Sequence, residues 1–315
     1  MKTLSIGKLR GLQQCTTPQG TFTCLALDHR QNLRKANPIF VADAELSRFK
    51  LDVTRLLAPY ATAVLLDPEV SAAQAIAEGA IPGGIGLVVA VESTGYTGDA
   101  TARHAQIIPG WSVEKAKRMG ASMIKLLVYF HPDSATAHEI VDFTAKIGEE
   151  CLKHDLGLML EPLSYSLTDQ KLSSDEKRYV VVETARRLTP IPGVDILKAE
   201  LPQGADDPDE AKLAAACAEV SAASVTPWIL LSAAVSFETY QRQIIAACQA
   251  GASGIAVGRA VWQEAVTMGE NERIHFLRTT ACQRLTRLTS LCHALAKPWT
   301  DFYTAEAPFD WYKTY

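Results

Sequence analysis

Met123-Ile-Lys-Leu-Leu-Val-Tyr-Phe130 is an apolar run with the length of a buried β-strand, and a single lysine interrupts it. A second run of this kind, Val194-Asp-Ile-Leu-Lys-Ala-Glu-Leu-Pro202, also has a lysine in its interior. A lysine is rarely buried without a partner, because desolvating an ammonium group is costly unless the charge is paired or lost. Lys125 and Lys198 therefore indicate an active site.

Similar short runs occur along the whole chain, and longer amphipathic stretches separate them. The predicted strands are Thr21–Asp28, Ala63–Asp67, Gly86–Glu92, Ser122–Phe130, Gly157–Glu161, Asp195–Leu201, Trp228–Ser232 and Gly254–Gly258. The predicted helices are Asp43–Leu57, Val70–Glu78, Ser112–Met119, Ser134–His154, Ser174–Leu188, Asp209–Ala222, Phe237–Ala250 and Asn271–Leu295.

About eight β/α units in 315 residues match a (β/α)8 barrel, which typically needs roughly 250 residues, with an extension at each end. The sequence therefore predicts an α/β fold consisting of a single TIM barrel over 1–315. Its core is expected at about 21–296 and a C-terminal tail at 297–315. The rival is a doubly wound open sheet, but the glycine fingerprint of that fold is absent, since Gly83-Gly-Ile-Gly86 precedes a strand instead of following one.

Composition and charge exclude several classes of function. Hydrophobic residues make up 48% of the chain and the formal net charge is −4, without a dense basic stripe, so nucleic-acid binding is not expected. The N-terminal segment lacks an apolar signal core, and no run approaches the ~20 apolar residues that cross a bilayer. We expect a cytoplasmic protein with no membrane partner. The seven scattered cysteines, none spaced as CxxC, are typical of buried free thiols.

Polar residues gather where the predicted strands end, which in a TIM barrel is the catalytic face. They are Asp28, His29, Arg30, Asp67, Glu92, Glu161, Lys198, Glu200, Ser232, Gly258 and Arg259. Because alternate strand residues share a face, Lys198 and Glu200 are expected to project the same way, about 6.6 Å apart along the strand. Lys125 should project from the fourth strand toward them.

This set of groups suits imine chemistry, in which a neutral amine attacks a ketone and the iminium then acts as an electron sink for carbon–carbon cleavage. Burial and the neighbouring ammonium of Lys125 would lower the pKa of Lys198 from its ordinary value of about 10.4. Glu161 and Asp28 could transfer the protons. The alternative is that each lysine is half of a structural ion pair, with Glu161 or Glu200 as its partner.

A metal site is a weaker alternative. Asp28, His29, Asp67, Glu92 and Glu161 could surround a divalent ion. However, the seven histidines are scattered, with no HxH or HxxxH pair, and His29 is better interpreted as a hydrogen-bonding group.

Several ordered motifs, from Leu25 to Thr300, resemble one enzyme family. They are Leu25-Ala-Leu-Asp-His-Arg30, Ala58-Pro-Tyr-Ala-Thr-Ala-Val-Leu-Leu-Asp-Pro-Glu69, Glu92-Ser-Thr-Gly-Tyr96, Trp111-Ser-Val-Glu-Lys-Ala-Lys-Arg-Met-Gly-Ala121, Ile124-Lys-Leu-Leu-Val-Tyr-Phe130, Asp195-Ile-Leu-Lys-Ala-Glu-Leu-Pro202, Ile229-Leu-Leu-Ser-Ala233, Val257-Gly-Arg-Ala-Val-Trp262 and Lys297-Pro-Trp-Thr300. Together they resemble the class I tagatose 1,6-bisphosphate aldolases, which share a superfamily with the sulfofructose-phosphate aldolases.

The resemblance implies a TIM barrel that uses no metal or other cofactor. It implies Lys198 as the Schiff-base lysine, Lys125 and Glu161 as its partners, and Asp28 at the substrate hydroxyls; the residues alone do not rank Lys198 above Lys125. The implied reaction is reversible cleavage of a ketose 1,6-bisphosphate to dihydroxyacetone phosphate and glyceraldehyde 3-phosphate.

The sugar-phosphate substrate is expected to meet a further set of binding residues, with phosphate against the loops after strands seven and eight. These are Arg30, Glu200, Ser232, Ala233, Gly258 and Arg259. The sequence departs from the family pattern twice. His29 stands where the family usually has glutamine, and Ala234 stands where it usually has glycine, which adopts φ > 0 freely.

Three questions stay open from the sequence. The substrate could be another 1-phosphorylated ketose, such as 6-deoxy-6-sulfofructose 1-phosphate, or the barrel could be a sugar-phosphate-binding regulator. The aromatic C-terminal tail could cap the bottom of the barrel or meet another subunit in a homo-oligomer, and we favour capping because exposed aromatic patches tend to be buried.

Overall fold

The computed structural model describes residues 1–168, 170–204, 209–313 and 315. Its centre is a closed barrel of eight parallel strands. They are β1 (Phe22–Ala26), β2 (Ala63–Leu66), β3 (Gly86–Ala90), β4 (Met123–Tyr129), β5 (Gly157–Leu163), β6 (Val194–Ala199), β7 (Trp228–Leu231) and β8 (Gly254–Val257). Each strand pairs with the next along the chain, and β8 closes on β1 through Gly254 opposite Phe22. The predicted TIM barrel is confirmed, and the open sheet is excluded.

Helices surround the barrel. They are α1 (Ile6–Gln14), α2 (Gln31–Ala36), α3 (Asp43–Leu57), α4 (Ala72–Ala77), α5 (Val113–Arg118), α6 (Ala137–Lys153), α7 (Ser174–Leu188), α8 (Glu210–Ala223), α9 (Phe237–Gln249), α10 (Arg259–Trp262), α11 (Glu270–Phe276) and α12 (Cys282–Leu295). Short 3-10 turns lie at Pro38–Val41, Ala58–Tyr60, Gln263–Val266, Trp299–Asp301 and Trp311–Lys313. None of the helices within the described ranges is long and apolar enough to cross a membrane.

The predicted helix Asn271–Leu295 is the one whose form differs most from expectation. A π-helical segment, Leu277–Ala281, separates α11 from α12. Leu277 and Ala281 in this segment are fully buried and belong to the outer apolar cluster. The sequence analysis did not predict α1 and α2. The first precedes the barrel and the second follows β1.

Side chains alternate between the interior of the barrel and the surrounding helices, as the two-residue period of a strand requires. Along β4, Met123 belongs to the inner apolar cluster, whereas Ile124 and Leu126 pack in the outer one. Along β6, Ile196 is an inner residue and Leu197 an outer one. Lys125 and Lys198 follow the inner residues by two positions, so both project toward the barrel axis.

The bottom of the barrel is covered by the two ends of the chain. Lys2 and Thr3 pair in parallel with Tyr303 and Thr304, and Trp299 and Tyr303 pack in the inner apolar cluster. The Tyr303 hydroxyl donates a hydrogen bond of 2.6 Å to the Asp195 carbonyl oxygen. The expected capping therefore holds for this part of the tail. Further along, the side chains of Phe309 and Tyr312 are exposed.

Candidate active site

A cavity of about 760 Å³ opens at the carboxyl ends of the strands. Its wall includes all ten residues that the sequence analysis assigns to the site. They are Asp28, Arg30, Lys125, Glu161, Lys198, Glu200, Ser232, Ala233, Gly258 and Arg259. The structure therefore brings the whole predicted set to one face of the barrel, as expected for a TIM barrel.

The ammonium group of Lys125 lies among three carboxylates. Its Nζ atom donates hydrogen bonds of 2.7 Å to Oδ2 of Asp28 and 2.7 Å to Oε1 of Glu92, and lies 2.8 Å from Oε2 of Glu161. The Lys125 side chain is only 1% exposed. Burial by itself lowers the pKa of Lys125, but the three carboxylates outweigh burial and raise it well above its ordinary value.

Glu161 joins the two lysines. While its Oε2 atom faces Lys125, its Oε1 atom lies 2.8 Å from the Nζ atom of Lys198. The Lys198 side chain is 5% exposed, at the floor of the cavity. Burial raises the pKa of the Glu161 carboxyl, but the two ammonium groups have the larger combined effect and lower it. The positive charge of Lys125 is thus more than balanced by carboxylates, which differs from the simple repulsion of Lys198 expected from the sequence.

Asp28 shares this environment. Burial favours its neutral form, yet the ammonium groups of Lys125 and Lys198 hold the pKa of the Asp28 carboxyl well below its usual range. Its second oxygen, Oδ1, is buried and has no hydrogen-bond partner. An ionised oxygen without a partner beside the cavity is an acceptor ready for a hydroxyl group of a ligand.

The loop after β7 has an unusual backbone. Ala233 and Ala234 have φ angles of 43° and 61°, in the left-handed region that disfavours residues with a Cβ atom. Ala233 lines the cavity, and the Oγ atom of Ser232 accepts a hydrogen bond of 3.3 Å from the Gly258 amide. The loops after β7 and β8 are therefore joined where phosphate is expected.

His29 occupies the wall beside this loop. Its ring meets Trp262 edge to face, with 5.5 Å between centroids, and a Cβ atom on Gly258 would lie 3.2 Å from its Cε1 atom. Burial lowers the pKa of His29 to about 4, so the imidazole is neutral at neutral pH. Its Nδ1 atom is buried without a partner, 3.9 Å from Oδ1 of Asp28.

Two predicted binding residues are engaged by protein groups. The guanidinium of Arg30 forms an ion pair with Glu69 and donates a hydrogen bond of 2.9 Å to the Glu92 carbonyl oxygen. Glu200 lies just beyond the end of β6, and its carboxylate accepts hydrogen bonds of 2.6 Å from both the amide and the hydroxyl of Ser164. Both residues border the cavity, but their polar groups hold neighbouring loops.

Asp67 lies outside the cavity wall, contrary to its expected place at the rim. Its carboxylate forms a fully buried ion pair with Lys50 of α3 and accepts a hydrogen bond of 2.7 Å from the Ser71 hydroxyl. Among the described residues, no group of three or more histidine, cysteine, aspartate or glutamate side chains is arranged to hold a metal ion. In the cavity, the Lys125 ammonium itself lies among the carboxylates.

Two features of the site were not assigned from the sequence. The first is Glu92, which the sequence analysis predicts at the strand ends and as a possible metal ligand, but not as a catalytic or substrate-binding residue. The second feature is a hairpin after β3, in which Thr97–Asp99 pairs with Ala102–His104. The Arg103 guanidinium lies 4.3 Å from the ring centre of Tyr96 and 4.4 Å from that of Tyr165. These cation–π contacts hold the hairpin beside the cavity.

Comparison with known proteins identifies the family. The model of the DeoC/LacD family aldolases matches residues 22–264, which covers the barrel. The chain belongs to this family. Its relatives include tagatose 1,6-diphosphate aldolase 2 of Enterococcus faecalis, with 32% identity over 95% of this chain and 97% of the relative. The Streptococcus mutans protein of the same name is 31% identical over 95% of this chain and 98% of the relative.

The fold of this DeoC/LacD aldolase is also found in solved structures. An archaeal fructose 1,6-bisphosphate aldolase superposes with a TM-score of 0.61 at 21% sequence identity, over 91% of this chain and 99% of that one. At this identity the likeness concerns the barrel fold. The predicted membership in an aldolase family with a TIM-barrel fold is confirmed.

Proposed function

We propose that this DeoC/LacD aldolase is a Schiff-base aldolase that reversibly cleaves a ketose 1,6-bisphosphate to dihydroxyacetone phosphate and glyceraldehyde 3-phosphate. The observation that carries the proposal is the carboxylate of Glu161, whose two oxygens each lie 2.8 Å from a buried lysine ammonium. Such an arrangement can hold one lysine as a cation and exchange protons with the other.

Lys198 is the proposed nucleophile. Its neutral Nζ atom adds to the C2 carbonyl carbon of the ketose, and loss of water from the carbinolamine gives an iminium ion. Glu161 is placed to take the proton from Lys198 and to return one to the departing hydroxyl. Lys125 is the less suitable nucleophile, because its three carboxylate neighbours favour the protonated, non-nucleophilic form.

Bond cleavage follows from the iminium ion. Removal of the proton from the C4 hydroxyl breaks the C3–C4 bond, glyceraldehyde 3-phosphate leaves, and the bonding electrons pass to the iminium nitrogen to give an enamine. Asp28 supports this step because its pKa is held low and its Oδ1 atom has no partner. Protonation of the enamine at C3 and hydrolysis of the imine then release dihydroxyacetone phosphate.

A phosphate group is proposed to bind at the joined loops after β7 and β8. Ser232, Ala233, Gly258 and Arg259 line this side of the cavity. Backbone amides in loops with left-handed residues form concave anion sites, and a nearby guanidinium adds charge. Arg259 is not paired with a carboxylate in any ion pair described in the structure, unlike Arg30.

Tagatose 1,6-bisphosphate is the proposed substrate, because the relatives of 31–32% identity that span almost the whole chain carry that name. The test is a coupled cleavage assay with tagatose 1,6-bisphosphate, fructose 1,6-bisphosphate and 6-deoxy-6-sulfofructose 1-phosphate, each followed by dihydroxyacetone phosphate release. We expect the highest kcat/KM with tagatose 1,6-bisphosphate and no release by Lys198→Met.

Faster turnover of 6-deoxy-6-sulfofructose 1-phosphate would contradict tagatose 1,6-bisphosphate as the substrate but would agree with the Schiff-base mechanism. Absence of release from all three sugars, with tight binding of one of them, would instead support a sugar-phosphate-binding regulator. The release assay run with Lys198→Met separates enzymatic cleavage from a contaminating activity.

A further inference from the structure

Glu92 takes no part in the proton transfers of the proposed mechanism, yet both its carboxylate and its carbonyl oxygen are bonded to residues of the site. Its Oε1 atom accepts a hydrogen bond of 2.7 Å from Lys125, and its Oε2 atom accepts one of 3.1 Å from the Leu127 amide. Its carbonyl oxygen accepts a further bond of 2.9 Å from Arg30. Its side chain is 5% exposed. Glu92, which follows β3, thus contacts β4 through Lys125 and Leu127 and the segment after β1 through Arg30.

Three carboxylates surround the ammonium group of Lys125. Nζ donates hydrogen bonds of 2.7 Å to Asp28 and to Glu92, and Oε2 of Glu161 lies 2.8 Å away as the third anionic partner. Hydrogen-bonded groups hold their geometry more firmly than groups attracted by charge alone. Lys125 is therefore held from the β1 and β3 sides as well as by Glu161. Glu161 is not needed alone to hold Lys125 in place, and its other oxygen lies 2.8 Å from Nζ of Lys198.

We infer that Glu92 is a positioning residue that fixes Lys125 and maintains its charge, so that Glu161 is free to exchange protons with Lys198. The inference rests on the proposed Schiff-base function and adds a fourth acidic or basic partner to Lys125, Glu161 and Asp28. Burial raises the pKa of the Glu92 carboxyl, but the Lys125 ammonium opposes this effect, and both Glu92 oxygens accept hydrogen bonds, which is the arrangement of an ionised carboxylate.

Removing the charge of Glu92 has a defined effect on the pH dependence. Without this negative charge, the cation of Lys125 is less stabilised and the anions of Asp28 and Glu161 are less repelled. The pKa of every one of these groups therefore falls. The whole pH profile should move toward lower pH, by roughly one unit, as expected for loss of a charge within hydrogen-bond distance.

The experiment measures the rate of borohydride trapping of dihydroxyacetone phosphate on the enzyme as a function of pH. Glu92→Gln removes the charge, Glu92→Asp keeps the charge but shortens the reach, and Asp195→Asn is the matched control. Asp195 is also a buried carboxylate paired with a lysine, Lys8, but at the opposite end of the barrel. Circular dichroism checks that each variant is folded.

We expect the acidic and the basic side of the rate–pH profile of Glu92→Gln both to move to lower pH. The profiles of Glu92→Asp and Asp195→Asn should stay at the pH of the wild type. Glu92→Asp should still lose at least tenfold in maximal rate. If the pH profile of Glu92→Gln coincided with that of the wild type, the positioning role of Glu92 would be overturned, and the proposed Schiff-base function would not be affected. If Glu92→Gln does not fold, an unaltered rate in Glu92→Asp would overturn it. No adduct on the wild type would overturn the proposed function and this inference with it.

Discussion

Oε1 of Glu161 lies 2.8 Å from Nζ of Lys198, at the floor of the cavity. The other oxygen of the same carboxylate faces Lys125, so one acidic group connects both lysines. A buried ion pair of this kind is weak evidence for stability, because the cost of desolvating the two charges offsets their attraction. Its position at the carboxyl ends of the strands favours a role in proton transfer instead.

Glu161→Gln should therefore reduce kcat much more than it raises KM. The amide retains the shape of the side chain but cannot accept the proton of Lys198, and loss of a general base typically costs about 10²–10⁴ in rate. Steady-state cleavage kinetics measure both constants. Glu139→Gln, an exposed substitution on α6, is the control. An unchanged kcat in Glu161→Gln would rule out the proton-transfer role.

Ala234→Gly should stabilise the protein. Ala234 has a φ angle of 61°, which costs a residue with a Cβ atom about 1 kcal/mol relative to glycine. We expect the free energy of unfolding in urea to rise by about that amount. Ala214→Gly, in the exposed face of α8, should lower it by about 1 kcal/mol, because glycine is a poor helix former. A loss of stability at position 234 as well would mean that the left-handed backbone carries no strain.

His29 should make the protein less stable as the solution is acidified. In the folded protein its pKa is lowered from 6.5 to about 4, so below pH 6.5 the unfolded chain binds a proton that the folded chain does not. Stability due to the neutral imidazole is fully present above about pH 6.5 and is lost as the pH falls to about 4. The loss should be less than ~3 kcal/mol, since 20% of the side chain is exposed.

Urea unfolding from pH 7 to pH 4, on the wild type and on His29→Gln, tests this expectation. The wild type should lose more stability than the variant over this window, because glutamine does not titrate. Parallel pH curves for the two proteins would show that the folded His29 binds its proton as readily as the unfolded one.

Lys50→Met should be strongly destabilising. Lys50 and Asp67 form an ion pair with both side chains fully buried, and the substitution leaves the Asp67 charge without its cation. Breaking such a pair costs roughly 3–5 kcal/mol. Arg55→Met, on the same helix, removes an exposed ion pair with Glu78 and should cost no more than about 1 kcal/mol. Equal losses of unfolding free energy in the two variants would contradict the expectation that breaking a buried ion pair costs more than breaking an exposed one.

The barrel could be predicted because its eight strands are nearly continuous apolar runs between amphipathic helices. Both ends of the chain were harder to interpret. Residues Ile6–Gln14 lack a clear apolar stripe, and their helix is fixed by tertiary contacts such as the ion pair of Lys8 with Asp195, 187 positions away. The separate barrel core at about 21–296 and tail at 297–315 stay a prediction.

The site could be predicted in part for a similar reason. Strand alternation places Lys125, Glu161 and Lys198 on the inner face of the barrel, because each lies two positions after an inner apolar residue. Sequence could not show that Asp67 would turn to Lys50, because that contact depends on how α3 packs. Nor could it show that Glu92, just past the end of β3, would reach Lys125 on β4. The roles assigned to these residues stay predictions.

The most direct test of the Schiff-base mechanism is intact-mass spectrometry after borohydride reduction with dihydroxyacetone phosphate present. Wild type and Lys198→Met are compared under identical conditions. We predict a single reduced adduct on the wild type and none on Lys198→Met. An adduct that persists in Lys198→Met would place the imine on another lysine, and no adduct on either protein would contradict the Schiff-base mechanism itself.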